Sequence, residues 1–248
     1  MSKTVFITGG VGKIGKAICL LFAKQGYKVI FTYRGNDSGK ANASSLLSEL
    51  NGEEHAGVCT DITDHENYQI AVRAALGEHQ AIDLVVNCAG TTQFVAPSDL
   101  DGLTEELIDR IFRVNVRAAI TTVRLLLPYL KRSSNQPCVV NISSIAAKTA
   151  IGSNIAYCAS KAAMDSLTMS MARSLGPEIR VLSVSPGLAD TDFVKGVDSS
   201  WRDEQLEKTP LNALVSPEQV AQAVLSAKEQ LLFTTGAIIP VDGGRPLN

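Results

Sequence analysis

Two kinds of segment alternate along the chain. "KTVFITG" is a short, nearly continuous apolar run that stops at glycine, and "GKAICLLFAKQG" behind it places its apolar residues at helical spacing and stops at Gly26. The runs "YKVIFTYR", "HAGVCTD", "IDLVVNCAG", "PCVVNISS", "EIRVLSVSPG" and "GAIIPVDGG" read as six further strands. Between them, "SGKANASSLLSELN", "ENYQIAVRAALGEH", "TEELIDRIFRVNVRAAITTVRLLLPYLKRS", "AYCASKAAMDSLTMSMARSLG" and "SPEQVAQAVLSAKEQ" read as helices. Pro128 falls near the end of the first long helix. Ser216 is the expected N-cap of the last one, with Pro217 as its first residue. Strands that are apolar throughout are covered on both faces. Strict βα alternation then predicts an α/β chain: a single-domain, doubly wound Rossmann fold over residues 1–248, with a seven-stranded parallel sheet and helices on both faces. The least regular stretch, 188–214, holds the only tryptophan, Trp201. A long connection in a compact fold is expected to cover a substrate.

Composition narrows the function. The 248 residues are 45% hydrophobic and 19% charged, with a net charge of −2, which fits a soluble globular protein and excludes a dominant nucleic-acid surface. No apolar run reaches membrane-spanning length, and the N-terminus enters a strand pattern without a secretory signal, so a cytoplasmic protein is expected. The five cysteines form no C-x-x-C pair, and an odd count in apolar patterns predicts neither a disulfide frame nor a zinc site. His55, His65 and His79 stand apart from every motif below and read as surface or loop residues, so no metal is expected.

The turn "TGGVGKIG" carries the first chemistry. Gly10, Gly12 and Gly15 spell G-x-G-x-x-G between a strand and a helix. Such a turn lets backbone approach a pyrophosphate, and the helix N-terminus offers N–H donors. An NAD site has an acidic residue at the end of the second strand, bonded to the ribose 2′-OH. That end reads "FTYRGND": Tyr33 occupies the acidic place, Arg34 follows, and Asp37 comes too late. A 2′-phosphate wants cations. Lys13 and Arg34 therefore read as a clamp for NADP(H).

The second long helix carries the next. Tyr157 and Lys161 are four residues apart and project from one helical face. A free tyrosine titrates near 10, and bringing it to about 7 requires roughly 4 kcal/mol in favour of the phenolate. A neighbouring ammonium supplies part of that. Ser143 and Ser144 end the fifth strand, at the edge where such sheets bind ligands.

In this order, T-G-x-x-x-G-x-G over 8–15, "NCAG", "VNV", "NISS", Y-x-x-x-K, "SPG" and the ending "TGAIIPVDGG" resemble the short-chain dehydrogenase/reductase family along essentially the whole chain. The resemblance implies roles. Tyr157 would donate the proton to a carbonyl oxygen, and Lys161 would lower its pKa and hold the nicotinamide ribose. Ser144, thirteen residues before Tyr157, would orient the substrate oxygen, with Ser143 a structural neighbour. Asn115 would complete a water-linked proton relay behind the lysine. Gly9, Gly12, Lys13, Ile14 and Gly15 would form the phosphate turn. Asp61 and Ile62 would meet the adenine edge, and Asn87, Ala89 and Gly90 a wall of the cofactor. Pro186, Gly187, Leu188 and Thr191 would hold the carboxamide.

The sequence departs from the family pattern twice. Lys13 stands where the family has its middle glycine, as a basic residue does in pteridine reductases and other NADPH-dependent members. Cys88 replaces the second asparagine of N-N-A-G and reads as packing. Related enoyl reductases space Tyr and Lys more widely, so C=O reduction is expected over C=C. The implied activity is NADP(H)-dependent reduction of a carbonyl to an alcohol, or the reverse, on a small molecule such as a 3-oxoacyl thioester. A pteridine, sugar or small ketone reductase stays open, as does a non-catalytic NADP-sensing protein. Lys195, Arg202 and Lys208 could attract an anionic acyl carrier, but Asp190, Asp192, Asp198, Asp203 and Glu204 are interleaved with them. No nucleic-acid or membrane partner is expected. A homo-oligomer, a tetramer as in many family members, would pack the two long helices against a neighbour.

Overall fold

Every residue of the first strand, β1 (Thr4–Thr8), is buried, which requires cover on both faces of the sheet. The computed structural model describes residues 3–77, 80–189 and 199–247, with the backbone alone at 199–202. The remaining strands are β2 (Lys28–Tyr33), β3 (Ala56–Cys59), β4 (Leu84–Asn87), β5 (Cys138–Ile142), β6 (Arg180–Pro186) and β7 (Ile238–Val241). All pair in parallel in one sheet of order β3-β2-β1-β4-β5-β6-β7. The order reverses at β1/β4, where Val5 pairs with Val29 on one side and Leu84 on the other.

The helices are α1 (Lys13–Lys24), α2 (Asp37–Glu49), α3 (His65–Leu76), α4 (Glu105–Phe112), α5 (Ala118–Leu130), α6 (Ala146–Thr149), α7 (Ile155–Leu175), α8 (Ser199–Glu207) and α9 (Pro217–Glu229). Successive strand residues point to opposite faces. Val5, Ile7, Val29, Phe31, Val86 and Val184 therefore pack with α1, α2 and α9, around Phe22, Leu46 and Val224. Phe6, Ile30, Val85, Val139 and Val181 pack on the other face with α3, α5 and α7, around Tyr68, Leu126 and Ala172. The expected doubly wound architecture is present. The expected cap of the last helix is also present: Ser216 and Gln219 form a reciprocal capping box with Pro217 at the first position.

The differences are local. The third strand stops at Cys59 rather than Asp61, because the Asp61 carboxylate accepts from the Thr63 amide at 2.8 Å and turns the chain there. The first long helix is continuous, but residues Arg113–Arg117 form a π-helical turn between α4 and α5. The irregular stretch contains α8, whose charged and polar sequence "SSWRDEQLE" has no apolar stripe to announce a helix. His79, Asp190, Thr191, Asp192, Lys195 and Asp198 lie outside the described residues, as do the Trp201 and Arg202 side chains. Among the described residues no helix is long and apolar enough to cross a membrane.

Phe22 has no exposed surface and fills the space between α1 and the sheet. Phe22→Ala is expected to lower the unfolding free energy by about 3–5 kcal/mol in a denaturant titration.

Candidate active site

The carboxyl ends of all seven strands form one edge, and a crevice opens there at the β1/β4 reversal. The turn after β1 is drawn tightly into the sheet. The Gly9 amide donates to the Thr32 hydroxyl and the Gly10 amide to the Thr32 carbonyl, each at 3.0 Å. Gly9 has φ +70°, and a side chain there would place its Cβ 2.9 Å from Ala89 Cα. At Gly15 a Cβ would stand 2.3 Å from the Gly9 carbonyl oxygen. Only glycine fits either place, so the turn hugs the end of β4. Gly12 is the N-cap of α1 and offers no side-chain cap, unlike Asn36, Asp64, Thr104, Asn154 and Ser216 at their helices. No side chain competes with a ligand for the first N–H groups of α1.

A cleft of about 830 Å³ runs from this turn across the sheet edge. Ten of the residues singled out from the sequence line it: Gly9, Gly12, Lys13, Ile14, Gly15, Arg34, Asp61, Ile62, Ala89 and Gly90. Lys13 and Arg34 are exposed side chains on the α1–α2 side. Across from them, Arg110 and Arg113 also line the cleft, as do Asn36 and Ser38 at the start of α2. The sequence reading missed these four. Their signals were two arginines three apart just before "VNV" and the cap signature "ND" after Arg34. Among the described lining residues four are cationic, and the single carboxylate is that of Asp61, whose Oδ1 accepts from the Thr63 amide and hydroxyl. Thr60 also lines this cleft, and its hydroxyl oxygen is buried without a hydrogen-bond partner among the described residues. A glycine cradle, a helix N-terminus without a side-chain cap and a cationic wall together fit a polyanionic dinucleotide.

The remaining residues gather behind and beyond the cleft. Lys161 is buried, at 6% exposure. Its ammonium donates to the Ile142 carbonyl at 2.9 Å and lies 5.7 Å from the centroid of the Tyr157 ring. Asn154 caps α7 by accepting from the Tyr157 amide at 2.7 Å, and Ser160 donates to the Tyr157 carbonyl at the same distance. Gly152 makes room for the ring, since a Cβ there would stand 3.2 Å from Tyr157 Cδ1. Ser144 ends the β5 edge half-buried, its hydroxyl accepting from the Ala146 amide at 3.2 Å. Pro186 closes β6, and Gly187 and Leu188 follow, with the Leu188 carbonyl tied to the Val215 amide.

Asn115 sits in the π-helical turn, buried at 1% exposure. Its Oδ1 accepts from the Thr91 amide at 2.8 Å, and its Nδ2 donates to the Thr91 carbonyl and the Ser160 hydroxyl. A methyl group on Gly90 would lie 3.5 Å from Asn115 Oδ1 and 3.8 Å from Lys161 Nζ, so the two side chains meet across that glycine. Asn87 lies under the cleft floor and donates to Asn141 Oδ1 at 2.8 Å. Burial pushes the Cys88 thiol up to about 12 against the pull of Lys161, which keeps it a neutral packing group. Among the described residues no group of three His, Cys, Asp or Glu side chains could hold a metal ion.

Comparison with known proteins agrees with this geometry. A family profile described as enoyl-(acyl carrier protein) reductase matches residues 10–245. The chain is 32% identical over 246 residues to a 3-oxoacyl-[acyl-carrier-protein] reductase of Thermotoga maritima, covering 98% of this chain and 97% of that one. It is 33% identical over 252 residues to an L-xylulose reductase of Caenorhabditis elegans, covering 98% and 95%. The crystal structure of a short-chain dehydrogenase/reductase from Burkholderia xenovorans superposes with a TM-score of 0.91 at 30% identity, covering 100% of this chain and 99% of the other. With the Rossmann sheet, the glycine turn and the Tyr157–Lys161 pair in place, the chain belongs to the short-chain dehydrogenase/reductase family of oxidoreductases, with 3-oxoacyl-(acyl carrier protein) reductases among its relatives.

Proposed function

We propose that this protein is an NADP(H)-dependent reductase that interconverts a carbonyl and an alcohol. The observation that carries the cofactor preference is the cleft wall: four cations, Lys13, Arg34, Arg110 and Arg113, and no acid at Tyr33, where an NAD site would bond the 2′-OH. Lys13 and Arg34 would hold the 2′-phosphate, helped by the N-terminus of α2 at Asn36 and Ser38. The Gly9–Gly15 turn and the start of α1 would take the pyrophosphate, and Thr60, Asp61 and Ile62 the adenine edge. Asn87, Ala89 and Gly90 would wall the nicotinamide ribose, and Lys161 would hold its hydroxyls. Pro186, Gly187, Leu188 and Thr191 would hold the carboxamide.

The cofactor supplies or accepts the hydride when bound. The chain's own residues handle the proton and the geometry. Tyr157 gives its phenolic proton to the carbonyl oxygen, and Ser144 donates a hydrogen bond to that oxygen. The buried Lys161 ammonium stabilises the phenolate left behind. The hydrogen bonds of the Asn115 side chain go to Thr91 and Ser160, so its share in a proton relay would fall to its backbone carbonyl. Segment 188–214 would cover the substrate. It leaves and returns at one point, the Ala189–Val215 bridge, and its end is held by the Leu211 amide on the Gly243 carbonyl at 3.1 Å.

The four-residue Tyr157–Lys161 spacing favours C=O over C=C reduction. A 3-oxoacyl thioester is the leading substrate class, supported by the Thermotoga maritima relative. A keto sugar is the second reading, supported by the L-xylulose reductase relative. Phe112, Ile120 and Met169 are exposed on the two long helices, which supports a homo-oligomer. A monomer in sedimentation at micromolar concentration would contradict it.

Two substitutions test the assignment. Arg34→Ala is expected to weaken NADPH binding about 10- to 100-fold in a fluorescence titration while NADH changes little. Equal losses for both would remove Arg34 from the phosphate site. Tyr157→Phe is expected to lower turnover of an acetoacetyl thioester or a keto sugar by about 10² to 10⁴, with NADPH affinity kept. Retained turnover would end the role given to Tyr157.

A further inference from the structure

Two segments meet beside Tyr157: residues 91–96 after β4 and residues 150–154 before α7. Hydrogen bonds join them into one rim. The Val95 amide donates to the Ser153 carbonyl at 2.9 Å. Asn154 Nδ2 donates to the Gln93 carbonyl at 2.7 Å and to the Thr92 hydroxyl at 3.3 Å, and the Thr92 and Ser153 hydroxyls bond each other. Asn154 Oδ1 accepts from the Tyr157 amide, so one side chain ties both segments to the helix that carries the phenol. Gly152 lies against the ring itself, since a Cβ there would stand 3.2 Å from Tyr157 Cδ1. Ala150 ends α6 with φ +56°, a left-handed conformation that is costly for a residue bearing a side chain.

The side chains of this rim divide by polarity. Val95 turns inward and packs with Leu107, Ile111 and Ala156. Thr92, Ser153 and Asn154 bond to one another, and Gln93 Oε1 accepts from the Arg110 guanidinium at 3.0 Å. The large side chains left at the surface are apolar: Phe94 at 64% exposure, Ile151 at 75% and Ile155 at 49%. Phe94 stands between two residues bonded across the rim, Ile151 directly precedes the glycine against the ring, and Ile155 lies two residues before Tyr157. A single exposed apolar side chain is ordinary on a protein surface. Three on the rim of one reaction site mark a surface kept for an apolar ligand. A polyhydroxylated substrate is instead read by polar groups that bond its hydroxyls.

We propose that Phe94, Ile151 and Ile155 form an apolar lip that selects the substrate: a carbonyl compound carrying an apolar chain, a medium-length 3-oxoacyl thioester over a keto sugar. The proposal rests on the reading of Tyr157 as proton donor, because that residue fixes where the carbonyl lies and so places the chain on the rim. A methylene taken fully out of water strengthens binding by about fourfold. An open lip covers one side of a chain, which leaves about twofold per methylene.

The experiment reads binding apart from turnover. Butyryl and octanoyl thioesters of N-acetylcysteamine carry no ketone and cannot be reduced there. Their affinities for the full chain, with NADP⁺ present, are compared by calorimetry. The expected result is octanoyl bound about 10- to 20-fold more tightly than butyryl, a gap that falls to about fourfold or less in Phe94→Ser and in Ile151→Ser. Both positions are exposed, so neither substitution empties the core. Phe233→Ser, at an exposed phenylalanine just before β7 on the opposite edge of the sheet, is expected to keep the gap. Equal affinities in the wild-type chain would overturn the proposal, as would a gap retained in both lip variants. A Phe94→Ser chain that sediments as a smaller species would overturn it too, since the lip would then be a contact between copies. So would faster NADPH consumption with a ketopentose than with a 3-oxooctanoyl thioester. Failure of the reductase reading shows separately, as absent NADPH consumption with every carbonyl compound while the affinity gap stands.

Discussion

The site depends on one close approach: the turn after β1 against the end of β4. Gly9 could not carry a Cβ, because Ala89 Cα would be 2.9 Å from it. The two strands are hydrogen-bonded neighbours, yet α1 leaves to one face of the sheet and the α4–α5 helix to the other. The space between the departing helices is the cleft. Its two walls thus belong to different layers, and each layer contributes its own cations, Lys13 and Arg34 from one and Arg110 and Arg113 from the other. Neither pair neighbours the other in sequence. Topology brings them together.

The exposed cations and the buried lysine occupy separate parts of the sheet edge. The cationic wall is exposed and faces the cleft, suited to a ligand's phosphates. Lys161 is instead buried under the edge, with the Ile142 carbonyl accepting from it. Two separate chains of buried polar groups tie the strands and helices together nearby. Asn87 donates to Asn141, Asn141 to Thr168, and Asn115 to Thr91 and Ser160. Asn87 Oδ1 alone of these side-chain groups is buried without a partner among the described residues, and the bonds the others make hold one arrangement. The π-helical turn that carries Asn115 serves the second of these: it turns the side chain of a helix residue toward Thr91 while both flanking helices continue.

Much of this was legible in the sequence, for physical reasons that differ by element. Continuous apolar runs announced the buried strands, and Ser216–Pro217 announced the start of α9 to the residue. The glycine turn was legible because no other residue type fits positions 9 and 15. Tyr157 and Lys161 share a helix face, but that spacing is common, and it was the order of the motifs around them that singled them out. What stayed hidden depends on packing between distant segments. Arg110 and Arg113 went unremarked in the sequence because only the fold brings them into one cleft with Arg34. The π-helical turn has no periodic signature. Helix α8 has no apolar face to reveal it.

The central claim is that one cleft holds a phosphorylated dinucleotide, with its 2′-phosphate on the Lys13–Arg34 wall and its reactive ring beside Tyr157 and Lys161. The most direct test is a crystal structure of the protein grown with NADP⁺. The account predicts density for the 2′-phosphate within hydrogen-bond distance of Lys13 and Arg34, and a nicotinamide ring packed by Tyr157 with its ribose on Lys161. A dinucleotide bound with that phosphate in open solvent, or with its nicotinamide turned away from Tyr157, would contradict it.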